Sequence, residues 1–314
     1  MTSSDHAIVL ATDARFLAPI SCVLAMIEEH SADAPVVIMH DAVPEPDRRR
    51  ATSHVPTLDV TWTDVSSLLG QQLQTPQHFT RMSYARLLIA RALPSVDRAV
   101  YLDGDILIRR SIDPLFAVDL HGLPIGACRD LNAMTIAQGF PNFADWQLDG
   151  DAPYFNGGVL VLDLRLWREQ RLTDEAVAIA EESSASLGWA DQDVINIVVG
   201  NQCRRLDATW NLLHGGWGRR AHRSRIGGAL PAAEIGAALR DPAIVHFAGS
   251  IKPWHPRFGG RLSTPRYREW RRFASRSPYA RELLGGPRRA IERTIWSPLV
   301  RPADALLRWR ERHS

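Results

Sequence analysis

Two aspartates on either side of a single glycine, Asp103 and Asp105, could together bind a divalent cation. The glycine permits a tight backbone turn, so both carboxylates can reach one hard cation. Oxygen ligands favour Mg²⁺ or Mn²⁺, and a diphosphate would fill the remaining coordination positions. The apolar runs VYL and ILI flank the pair and predict buried surroundings, in which a cation would stabilise the carboxylates. On this pattern alone, a turn without a metal remains the alternative.

Two further Asp-x-Asp pairs have contexts that favour simpler roles. Asp149 and Asp151 lie in a polar loop beside a proline, which is typical of a solvated turn. Asp191 and Asp193 begin the segment DQDVINIVV, and carboxylates in the first turn of a helix are favoured by capping and by the helix dipole. The pair at 103 and 105 is therefore the metal candidate.

A second group of candidate residues lies far along the chain, in HFAGSIKPW (246–254). His246 could supply an imidazole ligand, although a lone histidine in an apolar strand is more often a hydrogen-bonded core residue. Gly249 permits close backbone approach, and Lys252 offers an ammonium group to phosphates. Lys252 is the one lysine among 37 basic residues, which argues against an interchangeable surface position.

The order of apolar segments predicts the framework that would position these residues. Predicted strands cover 7–12, 34–40, 58–64, two parts of 98–112, the apolar part of 154–167, and 243–249. Predicted helices alternate with them at 17–30, from 44 onwards, at 82–93 and at 165–186. This alternation predicts an α/β fold with a mostly parallel sheet, whose ligands bind beyond the carboxyl ends of the strands. The polar residues that we expect at this edge are Asp13, Asp103, Asp105, Asn156 and His246.

Composition limits the class of protein. The 314 residues are 45% hydrophobic and 23% charged, as in globular rather than disordered chains. No apolar run approaches the roughly 18–20 residues of a membrane span, and the N-terminus lacks the pattern of a signal peptide. Three cysteines without CxxC spacing indicate neither a disulfide framework nor a zinc site. We therefore expect a cytoplasmic protein.

Five ordered blocks of the sequence resemble family-8 glycosyltransferases, the group that contains bacterial lipopolysaccharide galactosyl- and glucosyltransferases and glycogenin. The blocks are YARLLIARALPSVDRAVYLDGDILIRRSIDPLF (84–116), YFNGGVLVLDLRLWR (154–168), ADQDVINIVVG (190–200), LDATWN (206–211) and HFAGSIKPWH (246–255). The resemblance spans about residues 6–256. It implies a GT-A (Rossmann-like) fold, a UDP-hexose donor with galactose or glucose favoured, Mn²⁺ or alternatively Mg²⁺, and transfer with retention at the anomeric carbon.

The resemblance also implies roles for individual residues. The implied metal ligands are Asp103, Asp105 and His246. The implied donor contacts are Asp13 at the nucleoside, Gly249 and Lys252 at the diphosphate, and Arg86, Asp103, Gly104, Asp130, Asn156 and Gly157. Asp191 and Gln192 resemble residues around the transferred sugar, with Gln192 nearest the reacting carbon.

The chain also departs from the family pattern. Family members often have Asn two residues beyond the aspartate of the first strand and an aromatic residue next, where this chain has Arg15 and Phe16. The contact to the base or ribose therefore stays open. The usual Phe-Asn-Ser/Ala-Gly is Phe-Asn-Gly-Gly at 155–158, which should leave Asn156 in place. The segment 131–153, where acceptor loops usually lie, has no recognisable pattern, so the acceptor is not identified beyond a saccharide or glycolipid.

Two mechanisms of retention stay open. A double displacement needs a carboxylate nucleophile, which Asp191 or Asp193 could provide. The residue that the resemblance places nearest the reacting carbon is Gln192, and an amide is a poor nucleophile. We therefore favour front-face attack, in which a phosphate oxygen takes the proton of the acceptor hydroxyl.

Other functions are less well supported by the sequence. A sugar-phosphate nucleotidyltransferase typically has a Gly/Arg-rich phosphate loop after its first strand, and TDARFLAPI is not such a loop. A non-catalytic or self-glycosylating protein that binds sugar nucleotides is the other alternative.

Charge divides the chain into two parts. Residues 255–314 carry a local charge of +10, which leaves −8 on the rest. We expect a GT-A catalytic domain at 1–256 and an Arg-rich, partly amphipathic helical extension at 257–314. Within this extension, residues 288–314 could bind the anionic surface at the inner face of the membrane. They could equally well dock on the catalytic domain. No nucleic-acid partner is expected, because no nucleic-acid-binding motif accompanies the arginines.

Overall fold

A computed structural model describes most of the chain. The described residues are 5–31, 33–70, 80–140, 142–183, 187–214, 230–249, 252–255 and 265–285. The strands within these ranges are β1 His6–Thr12, β2 Val36–His40, β3 Val60–Asp64, β4 Arg98–Leu102, β5 Ile106–Ile108, β6 Ile125–Arg129, β7 Phe155–Asp163, β8 Cys203–Arg205, β9 Leu212–Leu213 and β10 Ile244–His246. The α-helices there are α1 Leu17–His30, α2 Glu45–Thr52, α3 Ile89–Ala92, α4 Ile136–Gly139, α5 Leu164–Glu169, α6 Leu172–Ser183, α7 Asp191–Val199, α8 Ala232–Arg240, α9 Pro265–Ala274 and α10 Ala280–Leu284.

The strands form one large and one small sheet. The large sheet has the order β3-β2-β1-β4-β7-β6-β8, and all its pairs are parallel except those that β7 makes with β4 and β6. Along β1, Ile8 and Leu10 pack into one apolar core, whereas Ala7 and Val9 pack into another. Both faces of the strand are therefore covered, which explains its nearly continuous apolar sequence. The predicted α/β fold with a mostly parallel sheet is confirmed.

The direction of β7 corrects the expected position of Asn156. This residue does not end a strand but is the second residue of β7. Because β7 is antiparallel to β4, its first residues lie beside the last residues of β4, and the Asp103 N–H donates to the Gly158 carbonyl (2.9 Å). Asn156 therefore lies at the edge where the parallel strands end, because β7 begins there. The alternation of strands and helices in the sequence did not predict this reversal.

The candidate metal residues lie where the chain passes from one sheet to the other. Asp103 follows β4 of the large sheet, and Asp105 precedes β5 of the small sheet. In the small sheet, β10 runs antiparallel to β5 with His246 opposite Ile106, the residue after Asp105. This register brings a residue 141 positions further along the chain next to the aspartate pair.

Two predicted helices differ in the structure. The segment 82–93 forms a 3₁₀ helix at Arg81–Leu88 followed by the short α3, and the 3₁₀ part contacts both β1 and α7. Most of this segment therefore has the tighter turns of a 3₁₀ helix rather than the α-helical turns that the apolar spacing predicted. The predicted helix 165–186 is divided into α5 and α6, because Arg171 between them has a left-handed φ of +55°. Residues 184–186 lie outside the described ranges.

Helices α9 and α10 complete the apolar core on the side of α1. Trp270 and Phe273 of α9 are 1% and 2% exposed, and they belong to the same core as the buried face of α1. The hydroxyls of Ser21 and Ser277 lie 2.6 Å apart and are buried. The amphipathic segment 288–314 lies outside the described residues. None of the described helices combines the length and the apolar character that crossing a bilayer requires.

Replacing Trp270 tests whether α9 belongs to the core. We expect Trp270→Ala to lower the free energy of unfolding by about 3–5 kcal/mol, because it leaves a cavity against α1. Arg281→Ala, at an exposed position of α10, is the control and should change it by less than about 0.5 kcal/mol. Chemical denaturation measures both, and equal stability of the two variants would contradict the packing described here.

Candidate active site

Two carboxylates and one imidazole converge at the junction of the two sheets. Asp103, Asp105 and His246 each offer one ligand atom, and these atoms lie within 4.8 Å of one another. His246 Nε2 is 3.2 Å from Asp105 Oδ1 and 3.6 Å from Asp103 Oδ2. Asp105 and His246 are buried, so their mutual approach is imposed by the fold. Two oxygens and one nitrogen in this arrangement fit a divalent cation, and the carboxylates favour Mn²⁺ or Mg²⁺.

Gly158 makes room for this cluster. A Cβ atom at this position would lie 2.3 Å from Cε1 of His246 and 3.0 Å from Oδ2 of Asp103. These distances are shorter than atomic contact, so a side chain here would displace the imidazole. Sequence reasoning noted the glycine pair at 157 and 158 without assigning this role to the second glycine.

Lys252 forms an ion pair with the candidate ligand Asp105. Its ammonium contacts Asp105 Oδ2 and also donates to the Phe247 carbonyl (3.1 Å). Burial alone would raise the pKa of Asp105, but the ammonium of Lys252 and the contact with His246 hold that pKa well below its ordinary value. Asp105 is therefore a carboxylate, and Lys252 neutralises it in this structure.

Arg86 holds Asp103 from the opposite side. Its Nη2 donates to Asp103 Oδ1 (2.8 Å), and its Nη1 donates to the Gly157 carbonyl. Its Nε lies 2.7 Å from Asp191 Oδ2. The Tyr101 hydroxyl also donates to Asp103 Oδ1 (2.9 Å), a contact that sequence reasoning did not anticipate. Arg86 thus links the aspartate pair to the beginning of α7, and much of its donor capacity is used by protein groups.

Asp191 and Asp193 are both buried in the first turn of α7. Burial raises the pKa of Asp191 to about 7, although Arg86 opposes this shift. Burial likewise raises the pKa of Asp193 to about 6. Asp193 accepts hydrogen bonds from the Tyr154 hydroxyl and from the Trp189 N–H (2.8 Å). The Asp193 carboxylate is therefore engaged in holding the turn that precedes the helix.

Gln192 lies in a polar network with Asp130 and Asn156. Asp130 Oδ2 accepts from Asn156 Nδ2 (2.8 Å) and from Gln192 Nε2 (3.1 Å). Gln192 Oε1 accepts from the Gly157 N–H (3.0 Å) and from Asn156 Nδ2 (3.1 Å). Asn211, which sequence reasoning did not single out, continues this network to His246. The structure thus brings the candidate sugar-side residues next to the candidate metal cluster.

Asp13 and Gly249 are two further predicted donor contacts. Asp13 is paired with Arg15 (3.0 Å), and the next residue, Phe16, lies against Gly104, where a Cβ atom would be 2.7 Å from the ring. Gly249 has a φ of +104°, a conformation that favours glycine, between His246 and Lys252.

The third Asp-x-Asp pair forms an exposed turn in which Asp149 Oδ1 accepts a hydrogen bond from the Asp151 N–H (3.0 Å).

Comparison with known proteins identifies relatives of this chain. "Glycosyltransferase GlyF" of Streptococcus pneumoniae is 27% identical over 252 residues, which are 79% of this chain and 57% of that protein. "Lipopolysaccharide 1,2-glucosyltransferase" of Escherichia coli is 27% identical over 186 residues, 59% of this chain and 52% of that protein. The chain thus spans little more than half the length of these two curated relatives.

Solved structures show the same fold. An active-site mutant of LgtC superposes with a TM-score of 0.70 at 21% identity, covering 86% of this chain and 95% of LgtC. A complex of the galactosyltransferase LgtC with donor and acceptor sugar analogs gives a TM-score of 0.66 at 22% identity, covering 84% and 99%. The chain therefore has the GT-A fold. A family model for "Glycosyl transferase family 8" matches residues 7–257, and because this range is most of the sequence, the chain belongs to that family.

Proposed function

We propose that this chain is a metal-dependent, retaining hexosyltransferase. It would move galactose or glucose from a UDP-sugar to a saccharide or glycolipid acceptor, with release of UDP. The observation that carries this proposal is the convergence of Asp103, Asp105 and His246 within 4.8 Å, beside the one lysine of the sequence. The proposal is also supported by LgtC, which has been crystallised with donor and acceptor sugar analogs.

The residues of the cluster fit the charge of a departing diphosphate. Asp103, Asp105 and His246 would hold Mn²⁺ or Mg²⁺, which would stabilise the negative charge on the leaving UDP. Lys252 is within reach of the same place, because its ammonium already contacts Asp105. In this proposal the ammonium exchanges Asp105 for a phosphate oxygen when the donor binds. Gly249 and Asp13 remain proposed contacts to the diphosphate and the nucleoside.

For the transfer step we propose front-face attack. The bond between the acceptor oxygen and the anomeric carbon forms while the bond from that carbon to the phosphate oxygen breaks. The bonding electron pair leaves with the phosphate oxygen, which takes the proton of the acceptor hydroxyl. Gln192 would lie beside the reacting carbon, held by the network of Asp130 and Asn156. Asp193 is poorly suited as a nucleophile, because it is fully buried and holds Tyr154 and the Trp189 N–H.

The acceptor and the cellular site complete the proposal. A relative named as a lipopolysaccharide glucosyltransferase supports a glycolipid or saccharide acceptor. We propose that the catalytic residues lie within 1–256 and that the extension at 257–314 meets an anionic membrane surface from the cytoplasmic side. In the described part of this extension, α9 and α10 pack on α1, so membrane contact is assigned to residues 288–314.

Substituting one aspartate in each of two pairs tests the metal proposal. We expect Asp105→Asn to lower hydrolysis or transfer from UDP-glucose or UDP-galactose with Mn²⁺ by about 100-fold or more, because a charged ligand is lost. The matched control is Asp151→Asn, in the exposed pair, which should change the rate by less than about twofold. Equal effects of the two substitutions would contradict the assignment, as would full wild-type activity in the presence of a chelator.

Replacing Lys252 separates its two proposed contacts. Lys252→Met removes the cation that competes at Asp105, so we expect Mn²⁺ alone to bind about 10-fold more tightly. It also removes a phosphate contact, so UDP in the presence of Mn²⁺ should bind about 10-fold more weakly. Titration calorimetry measures both affinities. Lys252→Arg keeps the charge and should show smaller changes, and a parallel fall in both affinities for Lys252→Met would be inconsistent with the exchange.

Gln192 is tested through turnover. We expect Gln192→Ala to lower kcat by about 10–100-fold with a smaller change in donor KM, because the amide lies at the reacting carbon rather than at the diphosphate. Gln202→Ala, at an exposed position after α7, is the matched control. Wild-type kcat in Gln192→Ala would remove Gln192 from the mechanism.

A further inference from the structure

We propose that Asn211 is a positioning residue that fixes a proton on Nδ1 of His246 and leaves Nε2 of the same ring for a cation. This inference rests on the proposed metal-dependent function. The observation behind it is a chain of hydrogen bonds that begins at Asp130 and ends at the imidazole. It gives a role to an asparagine that neither the metal cluster nor the transfer mechanism otherwise uses.

The contacts of Asn211 are short and buried. Its Oδ1 lies 3.1 Å from Nδ1 of His246, and its Nδ2 donates to Oδ1 of Asn156 (2.8 Å). Asn211 is 1% exposed and His246 is 4% exposed, so water cannot readily replace either partner. In such surroundings, two donors or two acceptors that face each other lower the stability of the fold.

The orientation of the Asn156 amide is fixed at both of its ends. Its Oδ1 faces the Gly158 N–H (2.9 Å), and a backbone N–H can only donate. Its Nδ2 faces Asp130 Oδ2 (2.8 Å), an oxygen of a carboxyl group that accepts when ionised. Exchanging the two amide atoms of Asn156 would set donor against donor and acceptor against acceptor.

The orientation of the Asn156 amide determines the orientation of the Asn211 amide, which in turn determines which ring nitrogen of His246 carries a proton. Because Oδ1 of Asn156 is an acceptor, the atom of Asn211 that faces it must be the donor Nδ2. The oxygen of Asn211 then faces Nδ1 of His246, so that nitrogen must carry a proton. The alternative tautomer, with a proton on Nε2 alone, would place two lone pairs 3.1 Å apart.

The consequence for metal binding follows from the other ring nitrogen. Nε2 of His246 faces Asp103 and Asp105, and a cation needs a lone pair at that atom. A neutral ring whose proton is held on Nδ1 presents this lone pair without rearrangement. Without Asn211, the carboxylates would favour a proton on Nε2, and the cation would have to displace it.

The fold places Asn211 for this contact. Asn211 immediately precedes β9, which pairs in parallel with β10, and Leu213 is aligned with His246. Asn211 is also the last residue of the block LDATWN, one of the five blocks that carry the family resemblance.

Nitrogen NMR of the wild-type protein tests the proposal without activity or metal. In metal-free protein labelled with ¹⁵N-histidine, long-range ¹H–¹⁵N correlations distinguish protonated from unprotonated ring nitrogens. The signals of His246 are identified by their loss in His246→Gln. We expect Nδ1 to be protonated, and an unprotonated Nδ1 would overturn the proposal.

Two substitutions of the same residue separate positioning from a general structural role. Asn211→Leu removes the acceptor, and we expect Mn²⁺ affinity, measured from free Mn²⁺ by electron paramagnetic resonance, to fall about 10–100-fold. Asn211→Asp retains the acceptor towards Nδ1 of His246 but loses the donor to Asn156 Oδ1, so we expect a smaller loss of Mn²⁺ affinity than in Asn211→Leu. Asn201→Leu, at an exposed position, is the control. Equal losses in the Leu and Asp variants would overturn the proposal. If wild-type protein binds no Mn²⁺, the metal-dependent function fails, and the NMR result still decides the tautomer.

Discussion

The repulsion between carboxylates buried close together is the constraint on which the candidate active site depends. Asp105 and Asp191 are 6% and 3% exposed. Asp103 lies near both, because it shares the partner Arg86 with Asp191 and the partner His246 with Asp105. At such burial, like charges interact strongly and each must be neutralised nearby or protonated. Arg86 lies between Asp103 and Asp191, and Lys252 contacts Asp105, so the two cations come from segments far apart in the chain. The arrangement of positive groups therefore decides where a further cation can bind.

The fold meets this constraint through strand direction and one missing side chain. The reversed direction of β7 brings its first residues to the edge at which β4 ends. The absence of a Cβ atom at Gly158 then allows His246 to approach Asp103. The second feature depends on the first, because Gly158 belongs to β7 and lies beside Asp103 through the antiparallel pairing. A sheet with the same apolar pattern and a side chain at 158 would keep its core and lose the alignment of the ligands.

The sequence predicted most of the strands and, apart from Asn156, the polar residues at their ends, because apolar periodicity and the Asp-Gly-Asp interruption are local signals. It did not predict the short strands β8 and β9. It did not predict the direction of β7, since a buried strand has the same apolar run in either direction. The break between α5 and α6 was also missed, because it depends on the left-handed conformation of Arg171, a residue with ordinary helix propensity. Asn211 contacts Asn156 and His246, which are distant in sequence, and the Tyr101 hydroxyl contacts Asp103. No spacing pattern predicts either set of contacts. Family resemblance supplied the candidate residues around the transferred sugar, and periodicity alone would not have done so.

The contact between Ser21 and Ser277 joins positions 256 residues apart. One face of α1 stays uncovered until α9 and α10 have been synthesised, because these helices provide Trp270, Phe273 and Leu283 to its core. Loop closure over such a distance carries a large entropic cost and slows folding. The ribosome must therefore release nearly the whole described chain before the first helix acquires its final neighbours, and during that interval a nascent chain exposes an apolar surface on which chaperones can act.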